Sequence, residues 1–309
     1  MSMLQGIKVL LGPSTFGAQD TLPLEMLAKA GCIIIKNPFG RKLSKLELKE
    51  LLPGVQGIIA GLETLDEEVL CGSELKVISR CGSGMSNVDL TAARRLGIKV
   101  FSTPYGPTSA VAELTLGAML NLLRMISLMD REMHDGRWTK KIGLQLEGKT
   151  VAIIGFGRIG KKVASLLKPF NVRMIAVDPD CHKDIDGIEL LPLDKALSEA
   201  DIITIHSSGE QEIIGNAEFS LFKKGTLLLN AARGGLINES ALIRAIENGK
   251  IAGAWLDTFG NEPYTGPLCK YPQVILTPHV GSYTLECRRS MEMEAVENFI
   301  NSFCERSAT

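Results

Sequence analysis

Short β-branched, almost wholly apolar runs alternate with helix-patterned stretches along most of this chain, and that alternation constrains its fold more than any other feature. The first set of runs covers residues 7–11, 32–36, 55–60, 76–79 and 99–102. Helical patterns at 22–30 and 89–96 lie among them, ended by Gly31 and Gly97. Glycine just past a helix is a stop signal, because it accepts the left-handed backbone that closes the last turn. A second set follows a long helical stretch at 109–134 and covers 150–154, 173–178, 202–206, 226–230, 253–257 and 274–277. A helix at 239–248, closed by Gly249, sits between two of these runs. Strands with no polar face are covered on both sides, so the expected class is α/β, with two doubly wound parallel sheets.

A length of 309 residues suits two such units, with a boundary expected near Thr103-Pro104. The final stretch, 283–304, reads as a helix whose place in either unit periodicity does not decide. Lysine plus arginine number 34 against 35 acids, a net charge of −1, so no electrostatic footprint for nucleic acid or anionic lipid is present. The apolar stretch 110–129 is interrupted by Glu113, Asn121 and Arg124 and reads as a buried helix rather than a membrane span. The first residues lack the basic and apolar regions of a signal peptide. Seven scattered cysteines form no CxxC pair, which predicts reduced thiols, a cytoplasmic location and no metal site, the Cys181-His182 corner having no second pair.

The most specific local signal is Gly155-Phe156-Gly157-Arg158-Ile159-Gly160, which directly follows a buried strand and opens a helix expected at 161–168. Gly155 permits the tight turn, Gly157 lets a pyrophosphate approach the backbone, and Gly160 lets helix and strand pack closely. The helix N-terminus offers unpaired N–H groups to the phosphates. Asp178 ends the next strand 18 residues after Gly160 and can accept both ribose hydroxyls, while no arginine follows to hold a 2′-phosphate. The expected cofactor is therefore NAD rather than NADP. About 150 residues precede this fingerprint, so the nucleotide domain is inserted in, or follows, another domain.

Reduction of a carbonyl by hydride needs a proton donor and a cation for the substrate. Of four histidines, His279 stands at the end of an expected strand, where ligands gather in a doubly wound sheet. Arg233 and Glu262 likewise follow strands. Taken alone, a histidine past a strand is more often structural than catalytic, and Arg-Gly-Gly reads equally as a surface turn; their joint placement at three strand ends points to one crevice.

These residues sit in motifs that resemble the D-isomer-specific 2-hydroxyacid dehydrogenases, the group of phosphoglycerate dehydrogenase, glyoxylate/hydroxypyruvate reductase and D-lactate dehydrogenase. The resemblance runs through Arg80-Cys81-Gly82-Ser83-Gly84 to Asn87-Val88-Asp89, Ala110-Val111-Ala112-Glu113, the glycine fingerprint, Asn230-Ala231-Ala232-Arg233-Gly234, Asp257 to Glu262-Pro263, and Thr277-Pro278-His279-Val280-Gly281. It implies His279 as general acid or base, Glu262 as its hydrogen-bond partner, and Arg233 as the cation for the substrate carboxylate. The Ser83-Gly84 backbone would help hold that carboxylate. Arg158 and Ile159 would meet the pyrophosphate, Asp257 with Ala231 would position the nicotinamide, and His206 and Gly281 would border the cofactor. It also implies a flavodoxin-like substrate domain of residues 1–103 plus 284–309, a Rossmann NAD domain of 104–283 inserted within it, and a homodimer through 108–129. Domain closure is expected, because water must leave a hydride-transfer crevice.

Departures bear on the substrate, a small 2-keto or 2-hydroxy acid. The stretch from His206 to Ile213 is about three residues shorter than in many relatives. Phosphoglycerate dehydrogenases commonly place arginine just after the third strand, where this chain has Ile59-Ala60-Gly61-Leu62. D-3-phosphoglycerate and glyoxylate/hydroxypyruvate are the candidate substrates, and no regulatory domain is expected beyond Thr309. Formate dehydrogenases of the same fold carry glutamine in place of Glu262, which ranks that activity low. An alternative of another class is an NAD(H)-sensing interaction protein resembling the corepressors that keep this fold and the same three polar residues.

Overall fold

A computed structural model describes residues 4–181, 185 and 187–304, so His182 lies outside the described residues. The chain parts into two compact units, Met1–Pro107 with Tyr283–Thr309, and Thr108–Ser282.

The first unit runs β1 (Lys8–Leu11), α1 (Leu22–Lys29), β2 (Ile33–Lys36), α2 (Lys45–Leu51), β3 (Gly57–Ala60), α3 (Glu67–Cys71), β4 (Val77–Arg80), α4 (Leu90–Arg95) and β5 (Lys99–Ser102). All five strands are parallel in the order β2-β1-β3-β4-β5, the flavodoxin-like order expected. The chain winds outward in opposite senses from β1 and β3, which makes that pair the topological switch point. α2 and α3 escaped the periodicity reading because they are only one to two turns long. Their caps were nonetheless written in the sequence: Ser44 and Glu47 form a capping box, and Asp66 accepts from Val69 N–H.

The final helix, Leu285–Cys304, belongs to this unit although 175 residues of the other unit intervene. Met291, Ala295, Val296 and Phe299 are buried along it. Gly57 has no side chain because the Phe299 ring occupies the space that a β-carbon would need. Ser79 Oγ donates to Ala295 O at 2.7 Å, Asn298 Nδ2 to Ser102 O at 3.2 Å, and Lys99 Nζ to Ser302 O at 3.0 Å. The helix is thus bonded to β4, β5 and their flank by apolar burial and by hydrogen bonds.

The second unit runs α5 (Pro107–Arg124), α6 (Ile126–His134), β6 (Thr150–Ile154), α7 (Arg158–Leu167), β7 (Arg173–Val177), β8 (Ile188–Leu190), α8 (Leu193–Glu199), β9 (Ile202–Ile205), α9 (Asn216–Leu221), β10 (Thr226–Asn230), α10 (Glu239–Glu247), β11 (Ile251–Leu256) and β12 (Val274–Leu276). Seven parallel strands follow the order β12-β11-β10-β9-β6-β7-β8, a Rossmann sheet extended by β12, with its switch point between β6 and β9. The stretch read as one helix at 109–134 is two. Met125 takes a left-handed φ of 52°, and Asn121 caps the new start by accepting from Ser127 N–H at 2.9 Å. The apolar residues of α5, among them Ala112, Met119, Leu122 and Leu123, are buried in this unit's own core beside Val151, Leu229 and Trp255. That core accounts for the apolar excess of 108–129. Among the described residues no single helix is long and apolar enough to cross a membrane.

Truncating Phe299 to alanine should empty a fully buried ring site and cost about 3–5 kcal/mol of unfolding free energy. A urea titration of the variant beside the parent measures this; an unchanged midpoint contradicts the packing described for the final helix.

Candidate active site

The glycine fingerprint sits at the second unit's switch point, where strand order reverses. Gly155 takes φ +90°, and a β-carbon there would overlap the His206–Ser207 peptide. The turn after β6 and the turn after β9 therefore touch backbone to backbone. A β-carbon on Gly160 would overlap Gly155 O, which is the close helix–strand approach expected. Around Gly157 nothing lies within 4 Å of a β-carbon position, so the backbone there faces open space that a phosphate can enter. α7 starts at Arg158, three residues earlier than expected, because Gly157 takes the extended N-cap conformation. Arg158 and Ile159 thus stand in the first turn beside unpaired N–H groups.

Asp178 follows β7 half-buried, with Oδ2 accepting from Phe156 N–H at 2.6 Å and Oδ1 from Asp180 N–H at 2.9 Å. The carboxylate is thereby fixed beside the glycine turn, and its remaining lone pairs are left for hydroxyl donors. The donor set, the open cradle at Gly157 and a carboxylate hostile to a 2′-phosphate fit a dinucleotide such as NAD.

His206 closes the same turn. Its Nε2 lies 2.9 Å from the buried Thr204 hydroxyl, and its Nδ1 is buried without a partner. Burial pushes its pKa down to about 4, so the ring is neutral at physiological pH. Nε2 and the Thr204 hydroxyl share one hydrogen bond whose direction follows the tautomer, and Nδ1 is the ring nitrogen left outside it.

The other three strand-end turns interlock. Asn230, at the end of β10, braces its turn by donating to Arg233 O at 2.8 Å and accepting from Ala232 N–H at 3.0 Å. Arg233 is half-buried and spends one guanidinium hydrogen bond on Ala232 O, leaving further donors for an anion. Ala231 is half-buried against the β6 side of the core. A β-carbon on Gly234 would overlap the Phe259–Gly260 peptide, and one on Gly235 would lie 2.7 Å from Glu210 O. The Arg233 turn is therefore clamped between the turn that carries Glu262 and the short 206–213 loop. That loop is itself tied down, with Ile213 and Ile214 N–H both donating to Leu236 O at 2.9 and 3.0 Å.

Asp257, just past β11 and 1% exposed, accepts from Thr277 Oγ1 at 2.6 Å, Val280 N–H at 2.9 Å and Gly281 N–H at 2.8 Å. Thr277 Oγ1 in turn accepts from Trp255 Nε1 at 2.9 Å. These bonds hold His279 in a left-handed conformation, φ 54°, that costs a residue with a β-carbon about 1–2 kcal/mol. His279 Nδ1 lies 3.0 Å from Glu262 Oε2, and Glu262 Oε1 accepts from Phe259 N–H at 3.1 Å. An ionised carboxylate only accepts, so the proton of that bond sits on Nδ1 and Nε2 is left to take or give a proton. Sequence reasoning missed Thr277, Trp255 and Asn230 as supports; the Asn230 side chain directly after an apolar strand was the available signal.

In the first unit, Ser83 is exposed and Gly84 half-buried in the turn after β4. The turn is anchored by Gly82 N–H donating to Thr103 Oγ1 at 2.7 Å, and Asn87 Nδ2 links it to Gly61 O and Glu63 O at 3.1 and 2.7 Å. Among the described residues no three histidine, cysteine, aspartate or glutamate side chains are grouped to hold a metal ion.

Residues 116–281 match the family model for the D-isomer specific 2-hydroxyacid dehydrogenase, NAD binding domain. The chain belongs to that family. It is 36% identical to a D-3-phosphoglycerate dehydrogenase of Archaeoglobus fulgidus across 84% of this chain and 51% of that protein. It is 35% identical to a hydroxypyruvate reductase of Thermotoga maritima across 82% of this chain and 87% of the relative. Among solved structures, a glyoxylate reductase of Paecilomyes thermophila superposes with a TM-score of 0.87 at 27% identity, over 96% of this chain and 95% of that one. The chain spans about half the length of the D-3-phosphoglycerate dehydrogenases that it matches. The dehydrogenase family resemblance and the NAD-binding assignment of the second unit therefore hold.

Replacing Gly234 with alanine should push the Arg233 and Glu262 turns apart and lower turnover by about 100-fold, a cost typical of an ångström-scale misplacement. Equilibrium binding of NADH, measured by fluorescence, should change far less, and full turnover in the variant would contradict the clamp. His206 supplies a second check. Between pH about 6.5 and about 4 the unfolded chain binds a proton on this imidazole and the folded chain does not, so acidification through that window lowers stability. The loss reaches up to about 3 kcal/mol, and His206→Gln should flatten it. Parallel urea-stability profiles for parent and variant would refute the assignment.

Proposed function

We propose that the protein is an NAD-dependent oxidoreductase that interconverts a small D-2-hydroxy acid and its 2-keto acid. D-3-phosphoglycerate and glyoxylate/hydroxypyruvate are the candidate substrates. The observation that carries the reading is the His279–Glu262 pair, with Nδ1 committed to a carboxylate and Nε2 left open. A dinucleotide held by the glycine turn and Asp178 would supply the hydride as NADH in reduction and accept it as NAD+ in oxidation.

In keto-acid reduction, protonated His279 delivers the Nε2 proton to the carbonyl oxygen as carbon gains the hydride. In oxidation, neutral His279 removes the hydroxyl proton at Nε2, and Glu262 stabilises the imidazolium that forms. Arg233 binds the substrate carboxylate with the guanidinium donors not spent on Ala232 O and draws electron density from the carbonyl. The Ser83 and Gly84 N–H groups are further donors to that carboxylate. Asp257 acts through the 277–281 turn, so its part is to position His279, alongside the nicotinamide-positioning role expected of it with Ala231. His206 and Gly281 border the cofactor, and Asp178 sets the preference for NAD.

The fitting environment is the cytoplasm, where thiols stay reduced. The fitting assembly is a homodimer, with its contact through 108–129 and extended along α6 and the segment after it. Ile126, Met133, Trp138, Ile142 and Leu144 are there 53, 49, 78, 98 and 53% exposed, a concentration of apolar surface that marks an interaction site.

NADH oxidation followed by absorbance against a panel of 2-keto acids tests the function. At least one small keto acid should be reduced, and His279→Ala should abolish turnover while NADH still binds. Binding of NADH without reduction of any acid would sink the enzyme reading in favour of a sensor. Light scattering should give twice the chain mass for the parent, and Trp138→Asp with Ile142→Asp should shift it toward one; a monomeric parent would refute the dimer.

A further inference from the structure

The second unit carries a cavity of about 190 Å³ at the other end of its sheet, beside the amino ends of β6, β9 and β10. β6 is five residues long, which puts this place roughly 15 Å along the strand from the glycine turn. One wall is apolar and is made by Leu123, Leu144, Ile202 and Leu227. That wall is held in place: Leu144 N–H donates to Leu123 O at 2.8 Å, and a β-carbon on Gly143 would lie 2.7 Å from the same oxygen. The segment that carries Leu144 is therefore pressed onto the last turn of α5. The volume exceeds the roughly 150 Å³ in which a benzene ring is accommodated.

The rest of the lining is charged. Lys149 precedes β6, Asp201 precedes β9, and Lys223 and Lys224 stand just before β10. Asp201 is engaged on both oxygens, Oδ2 accepting from Thr150 N–H at 2.9 Å and Oδ1 from Lys223 Nζ at 2.9 Å. Partial burial raises its pKa, but Thr150 N–H, Lys223 and the charge of Lys149 outweigh burial and hold the carboxyl below its usual range. Among the described residues neither the Lys149 nor the Lys224 ammonium makes a hydrogen bond or an ion pair. Lys250, the next cation along, is by contrast spent on Ser220 O and Phe222 O at 2.8 and 2.6 Å. Three lysines against one aspartate leave an excess of two positive charges beside an apolar wall.

We infer that this cavity binds a phosphate monoester with a small apolar body, at a site separate from the glycine turn and from the Arg233 turn. A phosphate monoester carries a charge of about −1.5 to −2 at pH 7, which matches the excess of two positive charges. Lysine meets phosphate as a point charge on a flexible stem, so Lys149 and Lys224 need no preset fork to engage it. The Asp201–Lys223 bond neutralises the one carboxylate that would repel the ester. Inorganic phosphate lacks the contact with the leucine wall and a neutral ring lacks the charge, so each binds worse than the ester. Arg233, Glu262 and His279 all stand beyond the carboxyl ends of their strands, so the ester is held here without being turned over.

Calorimetric titration of phenyl phosphate into the protein saturated with NAD, which occupies the glycine turn, tests the site. A dissociation constant of about 1 mM or tighter is expected, with inorganic phosphate and phenol each about tenfold weaker or more. Lys149→Gln combined with Lys224→Gln, both outside the core, should weaken phenyl phosphate by about tenfold and make the remaining binding less sensitive to salt. Leu144→Ala, at a 53% exposed position, should weaken phenyl phosphate by about threefold and leave inorganic phosphate unchanged. Arg233→Gln, which removes the anion donor at the other end of the sheet, should leave phenyl phosphate binding unchanged. Absence of binding by the parent, equal binding of phenol or of inorganic phosphate, or a double lysine variant that binds as well as the parent would overturn the inference. Loss of binding in Arg233→Gln would place the anion at the strand ends and overturn it equally. All of these outcomes are independent of whether any keto acid is reduced.

Discussion

The turn that carries His279 exists because one buried carboxylate, Asp257, is fully occupied by it. An aspartate 1% exposed is expensive unless its oxygens are hydrogen-bonded. Here a hydroxyl and two backbone N–H groups come from residues 277–281 alone. The compensation is local, so any rearrangement of the turn would strip several bonds from a charge that water cannot reach. That penalty exceeds the cost of holding His279 at positive φ, and the strained conformation persists. The orientation of the imidazole toward Glu262 follows from it.

The second constraint is backbone contact without side chains. Gly155 against the His206–Ser207 peptide, and Gly234 against Phe259–Gly260, are places where two turns from different strands touch directly. A β-carbon at either would lie 2.4 or 2.0 Å from the facing backbone, so the turns would have to part. Rigid strands β6, β9, β10 and β11 set the spacing of these turns, and the glycines let the turns close over that spacing. The candidate site's side chains are thus aimed by sheet geometry, with little left to loop flexibility.

What could be read from the sequence follows the range of the forces involved. β6 and β10 were legible to the residue, since uniformly apolar strands bounded by turn residues are a local signal. β8 was not, because only Ile188 of its three residues is buried and nothing in so short a run distinguishes strand from loop. The break at Met125 depends on the Asn121 side chain reaching across it, and periodicity does not register such a cap. Arg233, Glu262, Asp178 and His279 were each visible as polar residues at strand ends. That Glu262 meets His279, and that the Arg233 turn is clamped between two others, depends on contacts between distant segments. The Asp257 supports were hidden for the same reason: Thr277 and Trp255 look like strand residues until the strands are placed side by side.

The two sheets put opposite chemistry at the same topological place. In the second unit, the switch point between β6 and β9 is opened by Gly157 and flanked by a helix N-terminus, both of which favour phosphate, with the Asp178 carboxylate fixed beside the turn. In the first unit, the switch point between β1 and β3 is plugged by the Glu63 carboxylate, with Leu62 outside it. A net charge of −1 for the whole chain conceals this division entirely. The fold supplies the place for a ligand in each unit, and a few side chains decide its charge. A dinucleotide's phosphates fit the second unit's place, where backbone N–H groups face open space, whereas the first unit's place is closed by a carboxylate already buried.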